Sequence, residues 1–331
     1  MSKTWVKRLL DWYTVHQRTM PWRGHSDSYA VWVSEIMLQQ TQVDTVRPYF
    51  ERFLKVFPTI QTLAAAKDEP LLKAWEGLGY YTRVRNLRKA AQQLVAENKA
   101  RLPETPEALC KLPGIGAYTA AAISSICFHQ SVPVVDGNVA RVFARRNALR
   151  DDFKKEAPRK MLATWLLPYI QSVKVPGDFN QAMMELGALI CTPSTPDCQH
   201  CPLRSECNAF AHHAQSEYPV VTKAKALPKR RRSVVLLRSE EGALLLQKHV
   251  GERLLAGFWE LPDRKALPLP SQQFHRLGTY KQTFSHFHLT LTIHTAAPIP
   301  RTTFENLVWC ETPASLPLTT ATRKILATFE Q

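Results

Sequence analysis

Four cysteines near residue 200 constrain this chain more than any other feature. Cys191, Cys198, Cys201 and Cys207 follow the spacing C-x6-C-x2-C-x5-C, which packs all four into one short segment. The residues between them, Thr192 to Pro196 and the His200-Cys201-Pro202 step, are turn formers rather than parts of a helix or strand. Four thiolates converging from a loop suit zinc or an iron–sulfur cluster, the short Cys-x2-Cys step wrapping one side of the metal. Zinc sites more often pair two such knuckles, so the wide six- and five-residue arms favour a larger inorganic core. Unrelated buried thiols and a disulfide pair are the weaker readings. The start, Met1-Ser2-Lys3-Thr4, has no secretory character and runs into an amphipathic helix, and the cysteine cluster implies a reducing cytoplasm. Cys110, Cys127 and Cys310, outside the quartet, are expected as small core residues.

With 331 residues there is room for two domains, each with its own core. No apolar run is long enough to span a bilayer, so no membrane-spanning segment is expected. The formal charge of +15 is the unusual bulk property. Such an excess points to a polyanionic partner, nucleic acid first and an anionic membrane surface second.

Up to about residue 210 the pattern is helical. Trp5, Leu9, Trp12 and Tyr13 repeat at helical spacing, as do Leu87, Ala90, Ala91 and Leu94. Asp27 or Ser28 caps a helix over Tyr29–Gln39, and Thr105 with Pro106 opens a short one near Leu109. From Ser233 onward the grammar changes to short β-rich runs, Val234–Leu237, Leu244–Leu246 and His288–Ile293, broken by Gly and Pro. Residues 216–232, ending Lys229-Arg230-Arg231-Arg232, are expected as a basic linker. The expected architecture is an all-α domain over 1–215 carrying the metal loop at 191–207, then the linker, then a smaller α+β domain over 233–331.

Leu112-Pro113-Gly114-Ile115-Gly116 lies between two helical segments and reads as the turn of a helix–hairpin–helix at about 110–128. Gly114 and Gly116 let the backbone turn sharply and bring bare N–H groups close to a phosphate, while the following helix adds the positive end of its dipole. Such a contact holds a duplex in register without reading its sequence. One helix later comes Val135-Asp136-Gly137-Asn138-Val139, where Asp136 is most simply an N-cap.

Taken together, the hairpin, the V-D-x-x-V step and the cysteine spacing resemble the endonuclease III family of base-excision glycosylases, and within it the adenine-specific branch. The likeness runs nearly end to end: Pro21-Trp22-Arg23, Ser34 to Gln42, Gly77-Leu78-Gly79-Tyr80-Tyr81, Asn180 to Gly187, and the cysteine loop. It implies a 4Fe-4S cluster on the four cysteines and double-stranded DNA holding adenine opposite 8-oxoguanine or guanine, bound by a monomer.

The resemblance also implies roles. Bifunctional relatives carry a lysine two residues past the last hairpin glycine, where this chain has Tyr118, and no Lys occurs between Lys111 and Lys154. Without an amine no Schiff base forms, so the chain should excise a base and stop. Cleaving an N-glycosidic bond needs a proton for the leaving group and an anion for the oxocarbenium sugar, tasks that two carboxylates in different environments can divide. Glu35, amid apolar neighbours on a helix, is expected to protonate adenine and then activate water, whereas Asp136 stays ionised beside the sugar. Asn138 would orient water or substrate, and Tyr118 would support the anomeric centre. Trp22, Arg23 and Glu185 would line the base pocket. Gln40 and Tyr80, assisted by Thr41 and Leu78, would probe the space left by the flipped nucleotide.

Leu254 to Pro262 resembles the opening of a Nudix domain, yet the chain continues Asp263-Arg264-Lys265-Ala266-Leu267-Pro268 without the glutamates that a magnesium-dependent pyrophosphatase needs. The fold is therefore expected to serve recognition, with Phe284-Ser285-His286 reading 8-oxoguanine. The rival readings are a bifunctional glycosylase/lyase, a non-catalytic iron–sulfur DNA-binding protein, and a Nudix pyrophosphatase with a DNA-binding appendage.

Overall fold

The computed structural model describes residues 4–24, 27–97, 100–222, 226–250 and 255–329. Met1 to Lys3 and Leu254, used above, lie outside the described residues. By its contacts the chain divides into two compact units. One comprises residues 1–51, 59–64 and 89–224, the other 52–58, 65–88 and 225–331.

The helices are α1 (Thr4–His16), α2 (Ser28–Leu38), α3 (Val43–Val56), α4 (Ile60–Ala64), α5 (Asp68–Trp75), α6 (Thr82–Ala96), α7 (Pro106–Leu109), α8 (Ala117–Phe128), α9 (Gly137–Asn147), α10 (Glu156–Ile170), α11 (Pro176–Leu189), α12 (Asn208–Ala211) and, near the C-terminus, α13 (Thr320–Phe329). In the first unit, one core joins Trp5, Leu9 and Tyr13 of α1 to Val139, Val142 and Phe143 of α9 and to Phe179, Met183 and Leu186 of α11. The α2 helix is different: every residue from Tyr29 to Met37 is buried. A helix apolar on all sides belongs in the interior, so its one carboxylate, Glu35, is carried inside with it. The Asp27 side chain caps α2 by accepting from the Tyr29 N–H at 2.9 Å. Among the described residues no helix is long and apolar enough to cross a membrane.

The α8 sequence, AYTAAAISSICF, is dominated by small side chains, which lets α2 and α11 approach it closely. The turn before it places Gly114 at φ +80°, a left-handed conformation that suits glycine, and Gly116 caps the helix.

The second unit contains two three-stranded sheets. Strands β1 (Lys229–Leu236), β4 (His275–Thr283) and β5 (His288–Thr295) form one, in the order β1-β5-β4. Strands β2 (Leu244–Lys248), β3 (Trp259–Glu260) and β6 (Leu307–Cys310) form the other, in the order β3-β2-β6. β1 runs parallel to β5, and β4 and β5 form an antiparallel hairpin. Lys229 to Arg232, expected in the linker, instead form the first half of β1. Their pairing with His288 to Leu291 overrides the polar composition that suggested a connector. Between β3 and β4 the described residues form two 3-10 turns, Arg264–Ala266 and Ser271–Gln273, and no α-helix.

The spare cysteines depart from expectation. Cys110 is exposed at the end of α7, while Cys127 and Cys310 are only half-buried.

Candidate active site

A cavity of about 450 Å³ in the first unit brings together Trp22, Arg23, Glu35, Thr41, Tyr118, Asp136, Asn138 and Glu185. Seven of these were predicted as catalytic or base-pocket residues, and they come from α2, α8, α9, α11 and the turn before α2. A larger cavity of about 830 Å³ shares only Asp136 with it and lacks the second carboxylate.

The two carboxylates differ in their surroundings. Glu35 is buried, and its Oε2 has no hydrogen-bond partner. Burial pushes its carboxyl up to about 7; the Tyr118 hydroxyl opposes the shift and the Asp136 charge adds to it. Asp136 caps α9: Oδ1 accepts from the Val139 N–H at 2.7 Å, and Oδ2 accepts from Asn138 Nδ2 at 3.0 Å. Burial raises this carboxyl too, but those N–H groups and Arg141 work against the rise. Tyr118 is held well above the usual phenol value by burial and by both carboxylates, so it remains a hydroxyl, and it donates towards Met184 Sδ at 3.5 Å. One group is therefore disposed to hold a proton near neutrality, while the other has donors ready for its anion.

Glu185, also buried, is gripped by two arginines. Arg18 Nε and Nη2 donate to its two oxygens at 2.9 and 3.0 Å, and Arg23 Nη2 adds a contact at 3.4 Å. Burial alone would raise this carboxyl, but the arginines outweigh it and hold it below the usual value. Trp22 packs edge-on against Phe50 at 5.3 Å while lining the cavity, so it serves both core and pocket.

Sequence reasoning missed Arg18 and Arg141. Arg18 precedes the Pro21-Trp22-Arg23 motif and pairs with a residue 167 positions away. Arg141 lies one turn after Asn138 on the same helical face. Its Nη2 donates to Asn138 Oδ1 and to the Gly187 carbonyl, each at 2.8 Å, and its Nε donates to the Cys191 carbonyl at 2.7 Å. Gly187 makes this approach of α11 to α9 possible, because a Cβ there would fall 2.6 Å from Asn138 Cβ.

Among the remaining predicted residues, Gln40 and Tyr80 are non-glycine residues at positive φ, +57° and +48°. Such strain is often stored at functional sites. Both are exposed, whereas Leu78 is buried and belongs to its local core. Within the second unit, Tyr80 shares a cavity of about 160 Å³ with Phe284, Ser285 and His286, which form the tip of the β4–β5 hairpin.

The four cysteines of the loop are half-buried and near one another: burial raises Cys201 to about 12, and the other three thiols add to the rise. Arg145 Nη1 approaches Cys191 Sγ at 3.4 Å. Among the described residues no three potential ligands converge tightly enough for a single metal ion. Four neighbouring thiols are a donor set that fits zinc or an iron–sulfur cluster.

Comparison with known proteins agrees with this geometry. Residues 33–166 match the HhH-GPD superfamily of base excision DNA repair proteins, and residues 233–328 match a NUDIX domain. The helical fold resembles a thermostable thymine-DNA glycosylase (TM-score 0.57, 24% identity, 63% of this chain and 96% of that one). It also resembles an endonuclease III trapped covalently on DNA (TM-score 0.55, 21% identity, 64% and 99%). Fold and site thus define a helix–hairpin–helix base-excision protein with a Nudix-like C-terminal domain. The chain is 36% identical to the human adenine DNA glycosylase, covering 86% of this chain and 65% of that protein. It is 34% identical to the rat enzyme (98% and 78%) and 32% identical to that of Buchnera aphidicola from Schizaphis graminum (85% and 84%). It belongs to the adenine DNA glycosylase family, DNA-binding hydrolases that break the N-glycosidic bond in base excision repair.

Proposed function

We propose that this chain acts as a monomer on duplex DNA, excises undamaged adenine mispaired with 8-oxoguanine or guanine, and leaves the strand unbroken. One observation carries the reading: Glu35, with its Oε2 unpartnered, and a hydrogen-bonded Asp136 face a single cavity, and Tyr118 stands where a lyase would present an amine. The flipped adenine enters between Trp22 and the Arg18–Glu185–Arg23 cluster, a flat apolar wall and a polar edge that suit a purine. The Glu35 carboxyl donates its proton to N7. As the C1′–N9 bond breaks, its electron pair leaves with the base and positive charge develops on the sugar. The Asp136 anion stabilises that charge, the Glu35 carboxylate takes a proton from the attacking water, and Asn138 orients it.

Cys191, Cys198, Cys201 and Cys207 would hold a 4Fe-4S cluster, which, with four protein ligands, supplies structural order or electron transfer rather than bond cleavage. Cys198→Ser should abolish the near-visible absorbance of that cluster and lower the melting temperature. The second domain, expected from residue 233 and beginning as strand at Lys229, would read the base opposite adenine through Phe284, Ser285 and His286. Glu260 pairs with Arg232 at 2.9 Å and lies 2.9 Å from His249 Nε2.

The deciding experiment incubates the cluster-loaded protein with an adenine:8-oxoguanine duplex and assays cleavage with and without hot alkali. Breakage only after alkali supports monofunctional excision. Breakage without alkali, or no free adenine, overturns it.

A further inference from the structure

Strand geometry divides the basic run Lys229–Arg232 between two faces. Alternate residues of a strand point to opposite sides, and in the parallel pairing with β5, Arg230 is opposite Leu289 and Arg232 is opposite Leu291. Leu289, Leu291 and Arg232 all line the cavity beneath Phe284, Ser285 and His286. Arg230 and Arg232 therefore share the hairpin's face, and Lys229 and Arg231 belong to the other. The two arginines on the hairpin face are used differently. Arg232 is spent internally, with Nη2 on Glu260 at 2.9 Å and Nε on Asp263 at 3.4 Å. Arg230 is exposed and has no carboxylate partner within 4.0 Å among the described residues. Its guanidinium lies over the Phe287 ring at 4.4 Å from the centroid. Phe287 in turn stacks on Phe284 at 4.5 Å and meets the His286 ring edge at 4.7 Å. A guanidinium over an aromatic face keeps its N–H donors in its own plane, directed outwards at its edge.

We infer that Arg230 is a DNA-phosphate contact that seats the Phe284–His286 hairpin on the strand opposite adenine, while Arg231, the next residue and on the reverse face, is not. This rests on the proposed reading of the hairpin as the 8-oxoguanine reader. A phosphate contact carries no base information, so Arg230 should contribute to affinity and its salt dependence, but not to the choice between 8-oxoguanine and guanine.

The test measures binding of the full, cluster-loaded chain in a Glu35→Gln background, to adenine:8-oxoguanine and adenine:guanine duplexes over a salt series. Arg230→Gln keeps a flat group over Phe287 and removes the charge. It should reduce the slope of log affinity against log salt by about 0.9, so affinity falls roughly threefold less than in the parent between 50 and 200 mM salt. The ratio between the two duplexes should stay constant, and Arg231→Gln should change the slope by less than half as much. An unchanged slope in Arg230→Gln would show that the guanidinium only props Phe287, and equal losses from Arg231→Gln would reduce the run to diffuse charge; either result overturns the inference. Ser285→Ala separates this from the underlying reading, since it should alter the ratio and not the slope. If Ser285→Ala leaves the ratio intact, the hairpin reading fails on its own account. Melting curves identify any variant whose loss comes from unfolding, and for such a variant Arg230→Lys, which retains the charge, must restore the slope.

Discussion

Replacing Glu35 by glutamine should stabilise this protein and inactivate it, with the stabilisation confined to high pH. In the unfolded chain the carboxyl titrates near 4.5, whereas in the folded protein burial lifts it to about 7. Below pH 4.5 both states hold the proton and Glu35 costs nothing. Between the two values the folded state binds more protons than the unfolded one, so stability falls as pH rises, and the full cost is reached above about 7. That interval corresponds to about 3 kcal/mol, an upper limit because water entry relaxes buried charge. Glutamine has nearly the same shape and no charge to desolvate. For a unit of this size the gain at pH 8 is then at most roughly 6–12 °C in melting temperature, and near zero at pH 4.5. Melting curves of both proteins at the two pH values measure it directly. In the parent, the single-turnover excision rate should fall about tenfold per pH unit above about 7, as the proton donor is lost. An equal melting difference at both pH values would refute the reasoning, as would a rate unaffected by pH through this range.

Asp136→Asn should separate catalysis from folding: asparagine still caps α9, so stability should stay within about 1 kcal/mol, while loss of the anion lowers the single-turnover rate by on the order of 10³-fold. Equilibrium melts and quench assays on one preparation decide it. Gly187→Ala places a methyl 2.6 Å from Asn138 Cβ and must displace Asn138 or part α11 from α9. We expect about 1–3 kcal/mol of destabilisation and slower excision with unchanged DNA affinity. Tyr118→Lys puts an amine beside the Glu35 carboxyl. Borohydride should then trap a covalent protein–DNA complex that the parent never forms, visible as a shifted band on a denaturing gel.

Much of the helical unit was legible because its information is local. The α1 and α6 helices announce themselves by apolar spacing, Asp27 and Asp136 by their position before a helix, and Glu35 by sitting in an apolar run. What was not legible depends on partners far away in the chain. Glu185 could be suspected, but its grip by Arg18 joins residues 167 apart. Arg141 looks like any surface arginine until α11 and Cys191 are placed beside it. Lys229 to Arg232 read as a connector because strand character there comes from β5, about sixty residues later in the register. Leu78 was grouped with the exposed probes by its neighbours, although its side chain faces inwards. Cys110 misled in the opposite direction: a small thiol suggests a core, yet it ends a four-residue helix at the surface.

The different behaviour of the two carboxylates follows from where each lies along a helix. Asp136 precedes α9, where the first N–H groups have no partners within the helix and the dipole is positive, so the local backbone favours an anion before any side chain contributes. Glu35 sits inside α2, where every nearby N–H is already committed to a carbonyl one turn back. There, burial meets no compensating donor on Oε2, and the protonated form is preferred. Burial raises both carboxyls; at Asp136 the Val139 and Asn138 N–H groups and Arg141 oppose the rise, whereas Oε2 of Glu35 has no such donor. A cap aspartate facing a mid-helix glutamate across one cavity therefore gives the two carboxyls unequal holds on a proton, while the Arg18–Glu185–Arg23 cluster forms the polar wall of the same cavity.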